Sequence, residues 1–135
     1  MILYHASTVK IDEFRIPYGG LHVGGLHSAL EAALRKLRSD KNVDDLQTVY
    51  VHKVHLNAPK TAYVEDLGDC QSWRKCIESQ PDDIQALEYI NRYEPDIVSS
   101  YVVWDTSVLE IVSVDVMHMD EAEDIINSFH EEYDI

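Results

Sequence analysis

Four of the five glycines lie within YGGLHVGG at 18–25, directly ahead of a strongly helical run. Glycine is favoured where the backbone turns tightly or where another group approaches it closely. The run that follows, SALEAALRKLRS at 28–39, has an apolar stripe on one helical face: Leu30, Ala33, Leu34 and Leu37. Ser28 and Glu31 have the spacing of a capping box, so the sequence predicts a tight glycine turn and then a helix that begins at Ser28.

Runs rich in strand formers occupy much of the remaining chain. They lie at 1–5, 48–56, 62–67, 101–105 and 109–117. Residues 70–79 favour a short helix, and the acidic tail at 120–135 favours a longer one that packs Ile125, Ile126 and Phe129. A chain of 135 residues is long enough for one core and too short for two. We therefore expect a single domain over 1–135, of the α+β class.

Local signals conflict in PDDIQALEYINRYE at 81–94. Pro81 and the apolar residues spaced three apart indicate a helix start, whereas the alternating tyrosines indicate a strand. The interpretation that reconciles them is a helical turn from Pro81 to about Ala86, followed by a strand.

A strand over 88–94 would place Glu88 and Glu94 on the same face. At ~3.3 Å per residue the two carboxylates would lie about 20 Å apart, too far to act on one group. Only one of them could then be catalytic. The alternative is that both are solvated acids on an acidic protein.

Net charge restricts the partners that this chain can have. Asp and Glu number 25 against 11 Lys and Arg, which gives a formal charge of −14. Phosphate backbones and anionic membranes would repel such a chain, so we expect no direct nucleic-acid binding and no membrane binding. A protein partner with a basic surface is favoured, and the alternative is that the acidity only aids solubility.

Familiar site motifs are missing from the sequence. Cys70 and Cys76 match neither a redox CxxC pair nor a zinc knuckle, and His52 and His55 fall on opposite faces of a predicted strand. We therefore expect reduced thiols and no metal site. No GxSxG, GxGxxG or GxxxxGK[ST] occurs, and no run approaches the ~20 apolar residues of a membrane span, which predicts a cytoplasmic protein.

Four segments carry a resemblance to one known family. LYHAST at 3–8 has an aromatic residue, His, a small residue and Ser, and GGLHVGGLHSALEAAL at 19–34 leads a glycine strand into an alanine-rich helix. ALEYINRYE at 86–94 and SSYVVWDTSVLEI at 99–111 follow in order. Together they resemble the motifs of the ADP-ribosyltransferase fold of diphtheria-type toxins, poly(ADP-ribose) polymerases and small phage and bacterial effectors.

The resemblance implies two small antiparallel sheets with few helices and a mono-ADP-ribosyltransferase that uses NAD as its substrate. The enzyme would modify a protein partner, as an effector that inactivates a nucleic-acid-binding target, in the host cytoplasm if phage-encoded. By the same resemblance the NAD-binding residues are His5, Ala6, Ser7, Tyr18, His22, Gly24, Asn91 and Ser100. His5 would hold the ribose on the adenosine side.

The catalytic acid is the point at which this sequence departs from the family. In the toxin register it is Glu88, whereas the strand-turn-strand register has Ser100 at the usual place of the acid, so that Glu94 would have to substitute. His22 stands where relatives have a tyrosine that stacks on nicotinamide. These departures support an alternative, a catalytically inactive acidic protein of the same fold that blocks a basic surface. Asn91 and Arg92 would bind a phosphate or cap a turn.

Overall fold

The computed structural model describes residues 1–39 and 48–134, and within them seven strands and three α-helices form. In chain order these are β1 Ile2–Ser7, β2 Leu21–Val23, α1 Leu26–Ser39, β3 Thr48–Leu56, β4 Thr61–Tyr63, α2 Cys70–Glu78, β5 Ala86–Tyr89, β6 Ser100–Val103, β7 Leu109–His118 and α3 Met119–Tyr133. A short 3₁₀ turn, Thr106–Val108, joins β6 to β7.

Two small sheets form the centre of the molecule. One has the order β1-β3-β7 and is antiparallel throughout, with His5 opposite His52. The other has the order β2-β6-β5-β4, and there β4 runs parallel to β5. The prediction of an α+β chain with two small sheets is confirmed. The prediction that both are antiparallel is wrong, because α2 lies between β4 and β5 in the chain and returns it to start β5 in the same direction.

Three apolar clusters hold these layers together. The sheets meet through Leu3, Leu21, Val54, Val103 and their neighbours. Helices α1 and α3 cover the outer face of the first sheet through Leu30, Leu34, Val49, Val51 and Ile126. Helix α2 covers the second sheet through Trp73, Ile77, Leu87 and Val102. The predicted stripe of α1 and the predicted packing of Ile125, Ile126 and Phe129 are therefore confirmed, with Ile125 partly buried.

The start of α1 differs from its prediction. The helix begins at Leu26, and the first helical hydrogen bond runs from the Ala29 amide to the Gly25 carbonyl at 3.0 Å. Ser28 therefore lies inside the first turn and is not the N-cap. Its backbone amide donates instead to the carboxylate of Asp96, at 3.0 Å. A cap from a distant loop has replaced the local capping box.

The segment at 81–94 also differs from its prediction. A single hydrogen-bonded turn forms at 81–84, where the Ile84 amide donates to the Pro81 carbonyl at 3.1 Å, but it does not continue as a helix, and β5 is confined to Ala86–Tyr89. The chain turns after the strand because the Asn91 side-chain oxygen accepts the amides of Tyr93 and Glu94, at 3.0 and 2.8 Å. The alternative in which Asn91 caps a turn is confirmed, and the strand over 88–94 is wrong beyond Tyr89.

Most of the other predicted elements are confirmed at close to their predicted bounds, but the strand predicted at 62–67 is confined to Thr61–Tyr63. The runs at 1–5, 48–56, 62–67, 101–105 and 109–117 all contain strands, and 70–79 contains α2. Cys70 and Cys76 are free thiols. Within the two described ranges, none of the helices has the length and apolar character needed to cross a bilayer.

Candidate active-site cleft

Two adjoining cavities form one cleft beside the second sheet. The large chamber has a volume of about 750 Å³ and the small chamber about 340 Å³. The residues that line both chambers are Pro17, Gly20, His22, Ala32, Tyr89 and Asn91. The two chambers therefore share a wall, and the cleft is lined by β1, β2, α1, α2, β5, β6, the loop before α2 and the turn after β5.

Glycines of the 18–25 segment allow the walls to approach closely. Gly20 has φ +85, and a Cβ there would lie 2.4 Å from Cγ2 of Val102. A Cβ on Gly24 would lie 2.6 Å from the Ser100 hydroxyl. Larger side chains at these positions would push the chain around β2 away from β6, so the close packing of these strands requires glycine there.

His5 lies in the wall of the small chamber in a fixed orientation. Its Nδ1 is 3.1 Å from the His22 carbonyl, which can only accept, so Nδ1 carries the proton. Burial lowers the pKa of His5, and electrostatic repulsion from His52 and Lys36 lowers it further. The hydrogen bond to the His22 carbonyl acts in the opposite direction. The ring is therefore neutral at pH 7, and Nε2 is left as a hydrogen-bond acceptor.

A second histidine, His52, fixes the backbone of His5. His52 is fully buried, its Nδ1 donates to the His5 carbonyl at 3.0 Å, and its Nε2 accepts the Ile11 amide at 2.8 Å. The Phe14 ring packs edge-on against both imidazoles, with centroids 5.5 and 6.0 Å away. His52 thus ties the end of β1 to the loop that follows it.

His22 forms part of an aromatic wall. Its Nε2 donates to the Gly19 carbonyl at 3.1 Å, and its Nδ1 accepts from the Tyr89 hydroxyl at 2.7 Å. The Trp73 ring meets it edge-on at 5.1 Å. Burial lowers the pKa of His22 and raises the pKa of Tyr89, which keeps both groups neutral. Because both nitrogens of His22 are engaged, the imidazole offers a ligand its ring and no free polar edge.

Glu94 lies in the large chamber with its side chain 16% exposed. Its Oε1 is 3.7 Å from Nε of Arg35, and the Asn91 side chain hydrogen-bonds to it. Burial nevertheless raises the pKa of the Glu94 carboxyl, and the negative charges of Glu31 and Asp66 act in the same direction. A cleft carboxyl with a raised pKa is suited to proton transfer.

Several predicted site residues line the cleft together. His5, Ala6, Gly24 and Ser100 line the small chamber, Glu94 lines the large one, and His22 and Asn91 line both. They come from sequence positions far apart, as the four-motif resemblance predicts. Their convergence is a property of the fold that no single motif specifies.

Three predicted residues lie outside the cleft. Glu88 is on the opposite face of β5 from Tyr89, beside Tyr101, whose pKa is raised by burial and then by this acid. The Ser7 hydroxyl donates to the Val9 carbonyl. Tyr18 is 58% exposed, and its ring lies 5.4 Å below the Arg74 guanidinium. The geometry therefore gives none of the three a place in the cleft wall.

Among the cleft residues that sequence reasoning did not identify are Arg35, Asp66, Trp73 and Tyr89. The position of Tyr89 could have been inferred from the sequence, because strand alternation places it on the other face of the strand from Glu88. Arg35 lies on the polar face of an amphipathic helix, where arginine is ordinary. Asp66 accepts the Gly68 amide at 3.0 Å in a turn that Gly68 makes with φ +82. Local pattern does not show that such a turn borders a cleft.

Comparison of the chain with protein-family models, with curated proteins and with solved structures gives no match in any of the three. The cleft geometry and the four motifs are therefore the observations that bear on function.

Proposed function

We propose that this chain is an NAD-dependent mono-ADP-ribosyltransferase that modifies a protein partner, with an ADP-ribosyltransferase-like fold. The observation that carries the proposal is the convergence of His5, His22 and Glu94 on two adjoining chambers, with His22 in the wall of both. These residues come from three of the four motifs that resemble the family. The two-sheet α+β architecture is of the class that the resemblance predicts.

In this proposal NAD extends along the cleft with its adenosine side in the small chamber. Neutral His5 accepts a hydrogen bond from a ribose hydroxyl through Nε2, the nitrogen that the His22 carbonyl leaves free. The nicotinamide lies against the ring of His22, which packs edge-on against the buried rings of Trp73 and Tyr89. The scissile bond is then directed towards Glu94.

Glu94 supplies the chemistry. As the bond between nicotinamide and ribose breaks, positive charge develops on the ribose, and the carboxylate stabilises that charge more in the transition state than in the ground state. The nucleophile on the acceptor forms a new bond to ribose C1′ and loses a proton, which Glu94 accepts. Neutral nicotinamide leaves with the electron pair of the broken bond. The raised pKa of Glu94 favours that proton acceptance.

The partner is a protein with a basic surface, such as a nucleic-acid-binding protein of the cytoplasm. A formal charge of −14 accelerates encounter with such a surface and repels nucleic acid itself. Charge on the enzyme would then perform the targeting.

Incubation with NAD and a panel of basic proteins tests the proposal. We expect nicotinamide release, and an intact-mass increase of one ADP-ribosyl group on at least one target. If neither appears, and if NAD does not bind, the proposal is overturned.

A second candidate is a catalytically inactive acidic protein of the same fold that blocks a basic surface. Arg35 favours it, because a cation 3.7 Å from the Glu94 carboxylate already neutralises part of its charge. This candidate predicts inhibition of the target without NAD, unchanged in Glu94→Gln. Loss of inhibition in that variant, with the fold intact, would exclude it.

A further inference from the structure

The loop that carries Glu94 is fastened to helix α1 by contacts that the proposed reaction does not use. The Ser28 hydroxyl donates to the backbone carbonyl of Glu94 at 2.6 Å. Asp96, two residues further on, accepts the Ser28 amide at 3.0 Å, and its other oxygen is 3.4 Å from Nδ1 of His27. The side chain of Asp96 is only 2% exposed. A carboxylate buried this deeply is costly unless its hydrogen bonds are kept.

Gly25 makes room for this arrangement. A Cβ at Gly25 would lie 2.2 Å from Oδ2 of Asp96 and 2.6 Å from Cγ2 of Val98. The absence of a side chain there is therefore a condition for Asp96 to reach the first turn of α1. The glycine directly before α1 and the acid on the Glu94 loop are therefore complementary in shape.

We propose that Ser28 and Asp96 are positioning residues for Glu94. They act by holding its backbone against α1, so that its carboxyl stays in the partly desolvated position beside Arg35. This inference rests on the proposed function only for its effect on catalysis. The effect on the Glu94 carboxyl itself holds whatever the reaction is.

The raised pKa of Glu94 depends on how the loop is held. Burial is the largest cause of the raised pKa of Glu94. If the loop loses its attachment to α1, water reaches the carboxyl and its pKa falls towards the ordinary value of 4.5. A contact that only stabilised the fold would change the unfolding temperature and leave this pKa where it is.

Two charge-neutral variants break the attachment by different routes. Ser28→Ala removes the hydroxyl donor, and Gly25→Ala displaces Asp96 by steric overlap. Ser79→Ala is the matched control, because the Ser79 hydroxyl also donates to a backbone carbonyl, that of Cys76 at 2.7 Å, at the far end of α2. Carbon-13 NMR titration of glutamate carboxyls gives the pKa of Glu94 in each folded variant, and nicotinamide release gives kcat and KM for NAD.

We expect the Glu94 pKa to fall in Ser28→Ala and Gly25→Ala and to stay unchanged in Ser79→Ala. We expect kcat to fall roughly tenfold to a hundredfold in the first two, with KM changed less than threefold, since a misplaced acid costs rate more than binding. If the pKa falls but no form of the protein releases nicotinamide, the attachment stands and the proposed reaction fails. A Glu94 pKa unchanged in folded Ser28→Ala would overturn the inference, and this milder variant decides the matter if Gly25→Ala does not fold.

Discussion

The two faces of strand β5 carry polar groups in contrasting settings. On the core face, Glu88 lies opposite Tyr101, in the layer where the two sheets meet. On the cleft face, Tyr89 bonds to His22, and the turn beyond the strand brings Glu94 beside Arg35. Both acids belong to one short segment, yet only one reaches the cleft. The turn after β5 brings Glu94 into the cleft, whereas the strand itself contributes Tyr89 to the cleft wall.

The largest expected effect is on NAD cleavage. Glu94→Gln should lower the rate of nicotinamide release by roughly 100-fold or more, because it removes the negative charge that opposes the developing charge on the ribose. Glu88→Gln is the matched control on the other face and should leave the rate within about twofold. The rates are measured by chromatography of released nicotinamide. Equal losses in both variants would contradict the assignment of the two faces.

The next largest effect concerns stability at the turn. Asp96→Ala should reduce the free energy of unfolding by about 2 kcal/mol, because it leaves the buried Ser28 amide without a partner. Asp105 caps the 3₁₀ turn by accepting the Ser107 amide at 2.9 Å, but it is exposed. Asp105→Ala should therefore cost about 1 kcal/mol or less. Urea denaturation of both variants measures the difference, and an equal cost would show that the burial of Asp96 contributes nothing.

The two cleft histidines should make the stability of the fold depend on pH. The pKa values of His5 and His22 are lowered from 6.5 in the folded protein, so the unfolded chain binds more protons below that value. The stability that these groups contribute is present above about pH 6.5 and is lost as the pH falls through the lowered folded values. Urea denaturation between about pH 8 and about pH 5 should show this loss, and His5→Gln should make it smaller. Stability that does not change over this range would contradict the buried, neutral state of the cleft histidines.

The smallest expected effect is that of Glu94 on stability, which changes with pH in the opposite direction to that of the histidines. Because the pKa of Glu94 is raised, its ionisation disfavours the folded state as the pH rises above the ordinary value of 4.5. Glu94→Gln should therefore leave the protein as stable as before, or slightly more so, at neutral pH, although it loses the contact with Arg35. The same denaturation experiment on Glu88→Gln should show no gain. Marked destabilisation by Glu94→Gln would mean that its ion pair outweighs its burial.

The helix starts show what could be predicted from the sequence. Asp69 caps α2 by accepting the Ser72 amide at 2.8 Å, a local contact of the kind that a short pattern contains. At α1 the cap comes from Asp96, 68 positions away, and the serine that looked like a cap binds the Glu94 loop instead. Apolar periodicity predicted the core face of α1 because burial on a helix follows local spacing. Contacts between distant segments have no local signature.

The site was predictable to a similar extent. Motif order identified His5, His22 and Asn91, which do converge, but strand extrapolation placed Glu88 and Glu94 on one face. Asn91 explains why the two acids lie on different faces, because its side chain accepts the Glu94 amide and turns the backbone out of the extended conformation before Glu94. Trp73 and Arg35 enter the cleft through the packing of α2 and α1, which depends on the whole fold.

Titration calorimetry with NAD tests the central claim most directly. We expect saturable one-to-one binding to the wild-type protein, weakened at least tenfold in His5→Ala, which removes the acceptor for a ribose hydroxyl. The fold of the variant is checked by circular dichroism. Absence of binding at millimolar NAD, or equal binding by wild type and His5→Ala, would contradict the claim that this cleft holds the dinucleotide.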